Sequence, residues 1–458
     1  MLHFFEQLIA LIWNRLRGRA GKAREEGGTL KCGFRIVDGQ LTGRQIALSN
    51  ARRTMHLAVL GKTGTGKSSF LRYLAQQDIE AQRGFCYFDL HGDTTPFLLR
   101  TIRSLEEQRG CDLSHKLIVI DPADLTVSVG FNPLESESPD LVRIAEFTQV
   151  LRERWSLDHF GARTDELLRN ALYVLSANGL TLLELALLLT HGNFRAACLK
   201  KVENPDIRAY FESRYDEVSD AMRATMREPI LNKTSAFTAD PHFRHIVGQT
   251  HSTFSVRDAM DTGQWVIVNL PKGRLGEQAL TLASLLFTVI KNALFTREKQ
   301  SLFTLYCDEI QNLVAYGRGI ETVLSEARKF GVGVVSANQF LDQYPAEMRA
   351  AILSVGTHAF FQLSSMDAGA IAQALDGGKP LAERLKNLSQ RHCILKSGAD
   401  RSAEVLIPAV REPRSDYLDL LTRSRSRFGR TRTEIERDIL KRQSVVRRDA
   451  KEALNGWE

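Results

Sequence analysis

A chain of 458 residues is longer than one compact core usually reaches, so two or three domains are expected, one of which can be inserted in another. Its 43% hydrophobic and 25% charged content sit at globular averages and exclude a wholly disordered or fibrous protein. A formal charge of +7 fits a nucleic-acid or anionic-membrane partner without requiring one.

The chain opens on an apolar run containing Leu2, Phe4, Phe5, Leu8, Ile9, Leu11, Ile12 and Trp13, broken by Glu6 and followed by Arg15, Arg17, Arg19, Lys22 and Arg24. The run is too short to span roughly 30 Å of hydrocarbon, and it lacks the positive leader and cleavage site of a signal peptide. Residues 1–27 therefore read as an amphipathic helix and basic linker, either lying on an anionic membrane surface or docking on protein. After Gly27 and Gly28, β-like pieces at Leu30–Val37 and Arg44–Leu48 lead into Leu57–Leu60. Apolar strands then alternate with helical stretches: Phe85–Phe88, Leu117–Ile120, Trp265–Leu270, Leu302–Tyr306, Val332–Ser336 and Ala359–Leu363. Such continuous apolar runs are what a parallel sheet covered on both faces requires.

Between about Asp140 and Thr238 helical periodicity replaces the β signal, as in Leu141–Glu153, Thr164–Ala177 and Asp206–Tyr215. The expected fold class is α/β, a mostly parallel sheet with helices on both faces, in two core segments (28–139 and 239–412) around an all-α insertion (140–238). From Pro413 the chain is basic, with Arg423, Arg425, Arg427, Arg430 and Arg432 ahead of a helix that Thr433 and Glu436 could start as a capping box. Residues 413–458 are expected to form a solvated, partly mobile tail and helix. The cysteines Cys32, Cys86, Cys111, Cys198, Cys307 and Cys393 are scattered, without CxxC or zinc spacing, which fits a reducing cytoplasm.

The segment Gly61-Lys62-Thr63-Gly64-Thr65-Gly66-Lys67-Ser68 matches GxxxxGK[ST] directly after a strand and before a helix. Glycines there let backbone N–H groups turn inward around a polyphosphate, the helix N-terminus adds positive potential, Lys67 meets the β and γ phosphates, and Ser68 can hold Mg²⁺. A partner acid should end a separate strand. Asp308 and Glu309 follow Leu302–Cys307 in that position, Asp308 to orient Mg²⁺ and Glu309 to polarise the attacking water. Gln339, after Ser336-Ala337-Asn338, stands where an amide can sense a γ-phosphate or hold water; a plain loop hydrogen bond would explain it as well. Arg328 and Lys329, on the expected helix Ile320–Phe330, are either a cation for a neighbouring subunit's site or a charge pair favoured by the helix dipole. Asn232-Lys233-Thr234-Ser235 lacks the Asp that would read guanine, so ATP is the expected nucleotide.

Taken in order, these motifs resemble the HerA/FtsK superfamily of P-loop ATPases, and within it the TraG/TraD-like coupling proteins of type IV secretion and conjugation. The segments that carry the resemblance, beside the P-loop, are Asp89-Leu90-His91-Gly92-Asp93, Asp121-Pro122-Ala123-Asp124, Gly130-Phe131-Asn132-Pro133, Asn269-Leu270-Pro271-Lys272-Gly273, Asp308-Glu309-Ile310-Gln311-Asn312, Glu326-Ala327-Arg328-Lys329-Phe330-Gly331 and Ala337-Asn338-Gln339. The resemblance spans roughly residues 30–408. It implies a RecA-like core, a homo-hexameric ring with ATP at subunit interfaces, DNA gripped through its backbone, and Arg328 acting in trans. Relaxosome and secretion-channel proteins are the partners it implies. The chain departs from many coupling proteins in having no spanning helix in its opening run, so a cytoplasmic ring is expected, with any membrane attachment peripheral. About thirty residues between Gly28 and the P-loop are too few for the β-barrel typical of HerA translocases. Two other readings stay open: a HerA-like translocase working with a nuclease, and a protein-secretion ATPase that does not act on DNA.

Overall fold

The structure, a computed structural model, describes residues 30–135, 140–314 and 320–455. The apolar run at Leu2–Trp13 and the linker after it lie outside the described residues.

Eleven strands form one sheet in the order β2-β1-β12-β11-β10-β3-β9-β8-β4-β7-β5. In chain order these are β1 (Leu30–Val37), β2 (Gln40–Leu48), β3 (Leu57–Leu60), β4 (Gly84–Asp89), β5 (Leu117–Ile120), β7 (Trp265–Asn269), β8 (Phe303–Asp308), β9 (Val332–Asn338), β10 (Thr357–Phe360), β11 (His392–Ser397) and β12 (Ala403–Leu406). From β10 through β5 every neighbouring pair is parallel, whereas β11, β12, β1 and β2 extend the sheet antiparallel. The parallel strands therefore all end on one edge, where ligands of open α/β sheets collect. The two remaining strands, β6 (Val127–Val129) and β13 (Gly429–Thr431), pair as a small separate ribbon.

Both faces of the parallel sheet are covered, which is why β3, β4, β8 and β9 are buried along their whole length. On one face α1 (Lys67–Glu80) and α2 (Thr95–Arg109) pack Phe70, Leu71, Phe97 and Ile102 against Val59, Tyr87, Ile267 and Tyr306. On the other, α7 (Gln278–Leu294) packs Leu282, Leu286 and Phe287 against Phe88, Ile118 and Val268. That second core continues into a helical layer that includes α3 (Leu141–Arg154), α4 (Ala162–Ala177), α5 (Asp220–Thr238) and α6 (Pro241–Val247). Every element between β6 and β7 is helical among the described residues.

A buried ion network fixes α1 to the sheet. Arg53 donates two hydrogen bonds to Asp78 (2.9 and 2.6 Å), and Arg83 Nε and Tyr306 Oη donate to the same carboxylate at 2.6 Å each. With Asp78 fully enclosed, removing it would strand the buried charge of Arg53, a loss of about 3–5 kcal/mol.

Three local expectations are corrected. The strand expected at Ala359–Leu363 is Thr357–Phe360, because Phe361 to Leu363 leave the sheet to brace the phosphate loop. The helix expected over Ile320–Phe330 is α8 (Ile320–Glu326) followed by a tight turn, Ala327–Phe330, that ends on Gly331 at φ +70. The capping pair before the last helix, α10 (Arg432–Asn455), is Thr431 with Glu434 rather than Thr433 with Glu436. Glu436 instead accepts from Arg244 (3.1 Å) and pairs with His245 (2.8 Å).

The basic tail is docked, not solvated. Helix α9 (Leu418–Phe428) buries Leu420 and Leu421 against the sheet, and Ser424 Oγ donates to Leu117 O at 2.6 Å. Arg423 grips Glu106 (2.9 Å), Asp112 and Asp419; Arg425 pairs with Asp124, Arg427 with Asp112 and Arg430 with Asp438. Only Arg432 of the run is left exposed without a side-chain partner among the described residues. The run is basic because the surface that receives it is acidic.

Candidate functional site at the carboxyl edge of the sheet

Residues 61–66 join β3 to α1 on the carboxyl edge of the parallel strands, between β10 and β9. The loop enters between its neighbours: Gly61 N–H donates to Asn338 O (3.2 Å) and Lys62 N–H to Gln362 O (2.8 Å). A Cβ at Gly61 would come within 2.5 Å of Phe361 Cβ, so the close approach itself requires glycine there. Gly64 and Gly66 adopt φ of +78 and +113, which turns successive N–H groups inward and places the start of α1 behind them.

Lys67 Nζ donates to the loop's own carbonyls, Gly61 O at 2.6 Å and Lys62 O at 2.9 Å. Burial lowers its pKa, while Asp308 and Glu309 act in the opposite sense. Ser68 Oγ donates to Asp308 Oδ2 at 3.3 Å. Burial of Asp308, reinforced by Glu309 and opposed by His91 and Lys67, pushes its carboxyl up to about 6.

Glu309 leaves β8 in a left-handed conformation (φ +57), its N–H donating to Ala337 O at 2.9 Å. Strained backbone of this kind collects at functional sites, where it re-aims a side chain. The carboxylate accepts from Asn312 Nδ2 (2.9 Å) and Gln339 Nε2 (3.0 Å). Gln339 Oε1 in turn accepts from Thr63 Oγ1 at 2.9 Å. One amide therefore connects the phosphate loop to the acid on the neighbouring strand.

Thr63, Gly64, Gly66, Lys67, Ser68, Asp308, Glu309 and Gln339 line a single cavity of about 300 Å³. Gly61, Lys62 and Thr65 support it from behind, Thr65 Oγ1 donating to Lys62 O at 2.8 Å. The donor set suits a polyphosphate and a hard cation: inward N–H groups, an ammonium, and a hydroxyl beside a carboxylate. Asn338 on the same wall keeps a buried Oδ1 without a partner among the described residues.

Arg328 is not in this group. It is exposed on the turn before β9, and its side chain has no partner among the described residues. Gln339 follows the other end of the same seven-residue strand, a separation of about 23 Å at the usual rise. Lys329 pairs with Glu326 of its own turn.

His91 also lines the cavity, its Nε2 4.0 Å from Glu309 Oε1. It is delivered by Asp89, whose carboxylate accepts from the N–H groups of Gly92 (2.8 Å), Thr94 (3.0 Å) and Thr95 (2.7 Å) and so winds the chain back over the edge. The Asp-x-His-Gly-Asp segment was the signal for this residue. Nothing in the sequence marked Gln390, which reaches the rim of the cavity from the far side.

A family profile described as the central domain of the helicase HerA matches residues 39–288, more than half of the chain. No curated protein matches it by sequence. Among solved structures, the plasmid coupling protein TrwB in complex with ADP and Mg²⁺ superposes with a TM-score of 0.57 at 17% identity, over 85% of this chain and 97% of that one. TrwB in complex with a non-hydrolysable ATP analogue gives 0.58 at 18% identity, over 84% and 96%. VirB4 of Thermoanaerobacter pseudethanolicus gives 0.56 at 14%, over 84% and 98%. At these identities the likeness is one of fold, a RecA-like P-loop core with helices on both faces of its sheet. The chain belongs to the family of the HerA helicase central domain, in the HerA/FtsK superfamily, and resembles the conjugative coupling proteins.

Proposed function

We propose that the chain is an ATP-driven motor that moves DNA, hydrolysing ATP at the subunit interfaces of a homo-hexameric ring. The observation that supports this most is the convergence of Lys67, Ser68, Asp308, Glu309 and Gln339 on one cavity from three separate segments. Lys67 exchanges the carbonyls of Gly61 and Lys62 for the phosphates. Ser68 and Asp308 would hold Mg²⁺, which offsets phosphate charge when bound. Glu309, oriented by Asn312 and Gln339, positions and deprotonates the attacking water. The Thr63–Gln339–Glu309 bridge is broken or kept according to whether a γ-phosphate lies between its members, which makes the acid responsive to the nucleotide.

Arg328 is about 23 Å from its own Gln339 and cannot reach its own site. It serves the γ-phosphate of a neighbouring subunit, which is why a ring belongs to the reading. DNA as cargo is supported by the +7 charge and by the likeness to TrwB, a coupling protein. Contacts to the phosphate backbone would carry no base specificity and would weaken with salt.

The test is the steady-state ATPase rate with and without single- and double-stranded DNA at low and physiological salt. Wild type should be stimulated by DNA, less so as salt rises. Glu309→Gln should lose about 10²–10⁴-fold in turnover without a change in melting temperature. Equal turnover in that variant would remove the catalytic assignment, and hydrolysis indifferent to DNA would point to a protein-secretion ATPase.

A further inference from the structure

The residues above account for the terminal phosphate and leave the other end of a nucleotide unattended. On that side of the loop stands the turn that precedes β11. It is fixed from every direction: His392 N–H donates to Ser389 O (3.0 Å), Ile407 N–H to Arg391 O (2.9 Å), and Arg391 N–H to Thr65 O (2.8 Å). Gln390 Nε2 donates to Gly64 O at 3.1 Å. Arg391 is held at φ +64, a left-handed conformation uncommon for an arginine. A Cβ at Gly66 would lie 3.2 Å from Arg391 Cα and 3.3 Å from its Cγ, so the turn rests directly on the phosphate loop. The half-buried Arg391 has no side-chain hydrogen bond or ion pair among the described residues.

Strand order gives the direction. Across the sheet the sequence is β11-β10-β3-β9-β8, and the residues for the γ-phosphate, Asp308, Glu309 and Gln339, all stand at the carboxyl ends of β8 and β9. A nucleotide on the loop after β3, with its γ-phosphate toward those acids, points its α-phosphate and ribose toward β10 and β11. Because β11 runs antiparallel to β10, the start of β11 and the turn before it lie on this same edge.

We propose that Gln390 and Arg391 form the nucleoside-end half of the site, with the Arg391 guanidinium binding the α-phosphate and ribose of a nucleoside di- or triphosphate on its own P-loop. This rests on the nucleotide reading above and gives the chain two arginines with separate tasks, Arg391 for binding in cis and Arg328 for the γ-phosphate in trans. A guanidinium fork suits a phosphate diester edge, and the clamped backbone fixes its base so that little freedom is lost on binding.

Calorimetric titration of ADP and of a non-hydrolysable ATP analogue tests it, on wild type, Arg391→Asn and Arg391→Gly, both of which suit a positive φ. Removal of one charged hydrogen-bonding group should weaken both nucleotides alike by about tenfold or more. In turnover the loss should appear in KM for ATP rather than in kcat, and Arg391→Lys should recover part of it. Arg328→Ala should leave ADP binding as in wild type. The idea is overturned if both Arg391 variants, folded by their melting curves, bind ADP and the analogue as wild type does. Lys67→Ala distinguishes the two levels: if it abolishes ADP binding while Arg391→Asn binds normally, the nucleotide site stands and the role of Arg391 falls.

Discussion

The arginines of the C-terminal segment and Arg328 look alike in sequence and differ in everything that follows. Arg423, Arg425, Arg427 and Arg430 each close on a carboxylate of the same chain, three of them on residues more than three hundred positions away. Arg328 is exposed and unpaired among the described residues, on the sheet edge away from its own site. A paired arginine is committed to the fold, whereas an unpaired one held on a rigid turn is available to something outside the chain.

Arg328→Ala offers the largest effect. Loss of a trans-acting cation should lower DNA-stimulated turnover by about 10³-fold or more, with the melting temperature unchanged. Mixed rings of Arg328→Ala and Glu309→Ala protomers should regain part of the rate at interfaces where both intact groups meet. No recovery in rings proven to be mixed would break the comparison at its functional end.

Arg423→Ala should act in the opposite way, on stability. Glu106 is almost wholly enclosed, and loss of its strongest partner should cost about 2 kcal/mol, read from denaturant unfolding. Burial tends to raise the pKa of Glu106, but the bonds from Arg423, Leu113 N–H and Arg103 outweigh it and hold the carboxyl low. Asp112 is held at about 2 by Ser114 and by the charges of Arg423 and Arg427. With both pKa values depressed, the stability they provide is present above the ordinary carboxylate range and is lost as pH falls toward about 2. The destabilisation caused by Arg423→Ala should therefore be full at neutral pH and shrink as pH falls through the carboxylate range toward about 2. The smallest effect belongs to Arg430→Ala. Its pair with Asp438 is half-exposed, and less than about 1 kcal/mol is expected; a larger loss would mean the short β6–β13 ribbon matters more than its exposure suggests.

The parallel strands and the phosphate loop were legible because their signals are local. Leu57–Leu60 and Leu117–Ile120 fall where continuous apolar runs put them, and the glycine spacing of residues 61–68 has a backbone meaning that does not depend on distant contacts. Asp308 and Glu309 were identifiable by their position after an apolar strand. The link through Gln339 could not be read, since Thr63 and Glu309 meet it only across strands far apart in sequence. The same holds for Arg391, which is an ordinary turn residue until the sheet places it on Gly66. The arginine-rich run misled for a related reason: charge density reads as solvation when the acidic partners, Glu106, Asp112 and Asp124, lie hundreds of residues upstream.

The span of the Arg423–Glu106 contact sets an order of events during synthesis. Glu106 emerges early, on a helix that packs against the first strands, and its principal counter-ion follows 317 residues later. At ordinary elongation rates that interval is roughly 15–65 s. Strands β11 and β12, which border the phosphate strand's side of the sheet, also arrive late. The acidic surface around Glu106 and Asp112 therefore stays without these counter-ions until the arginine helix has been made, and that helix docks late.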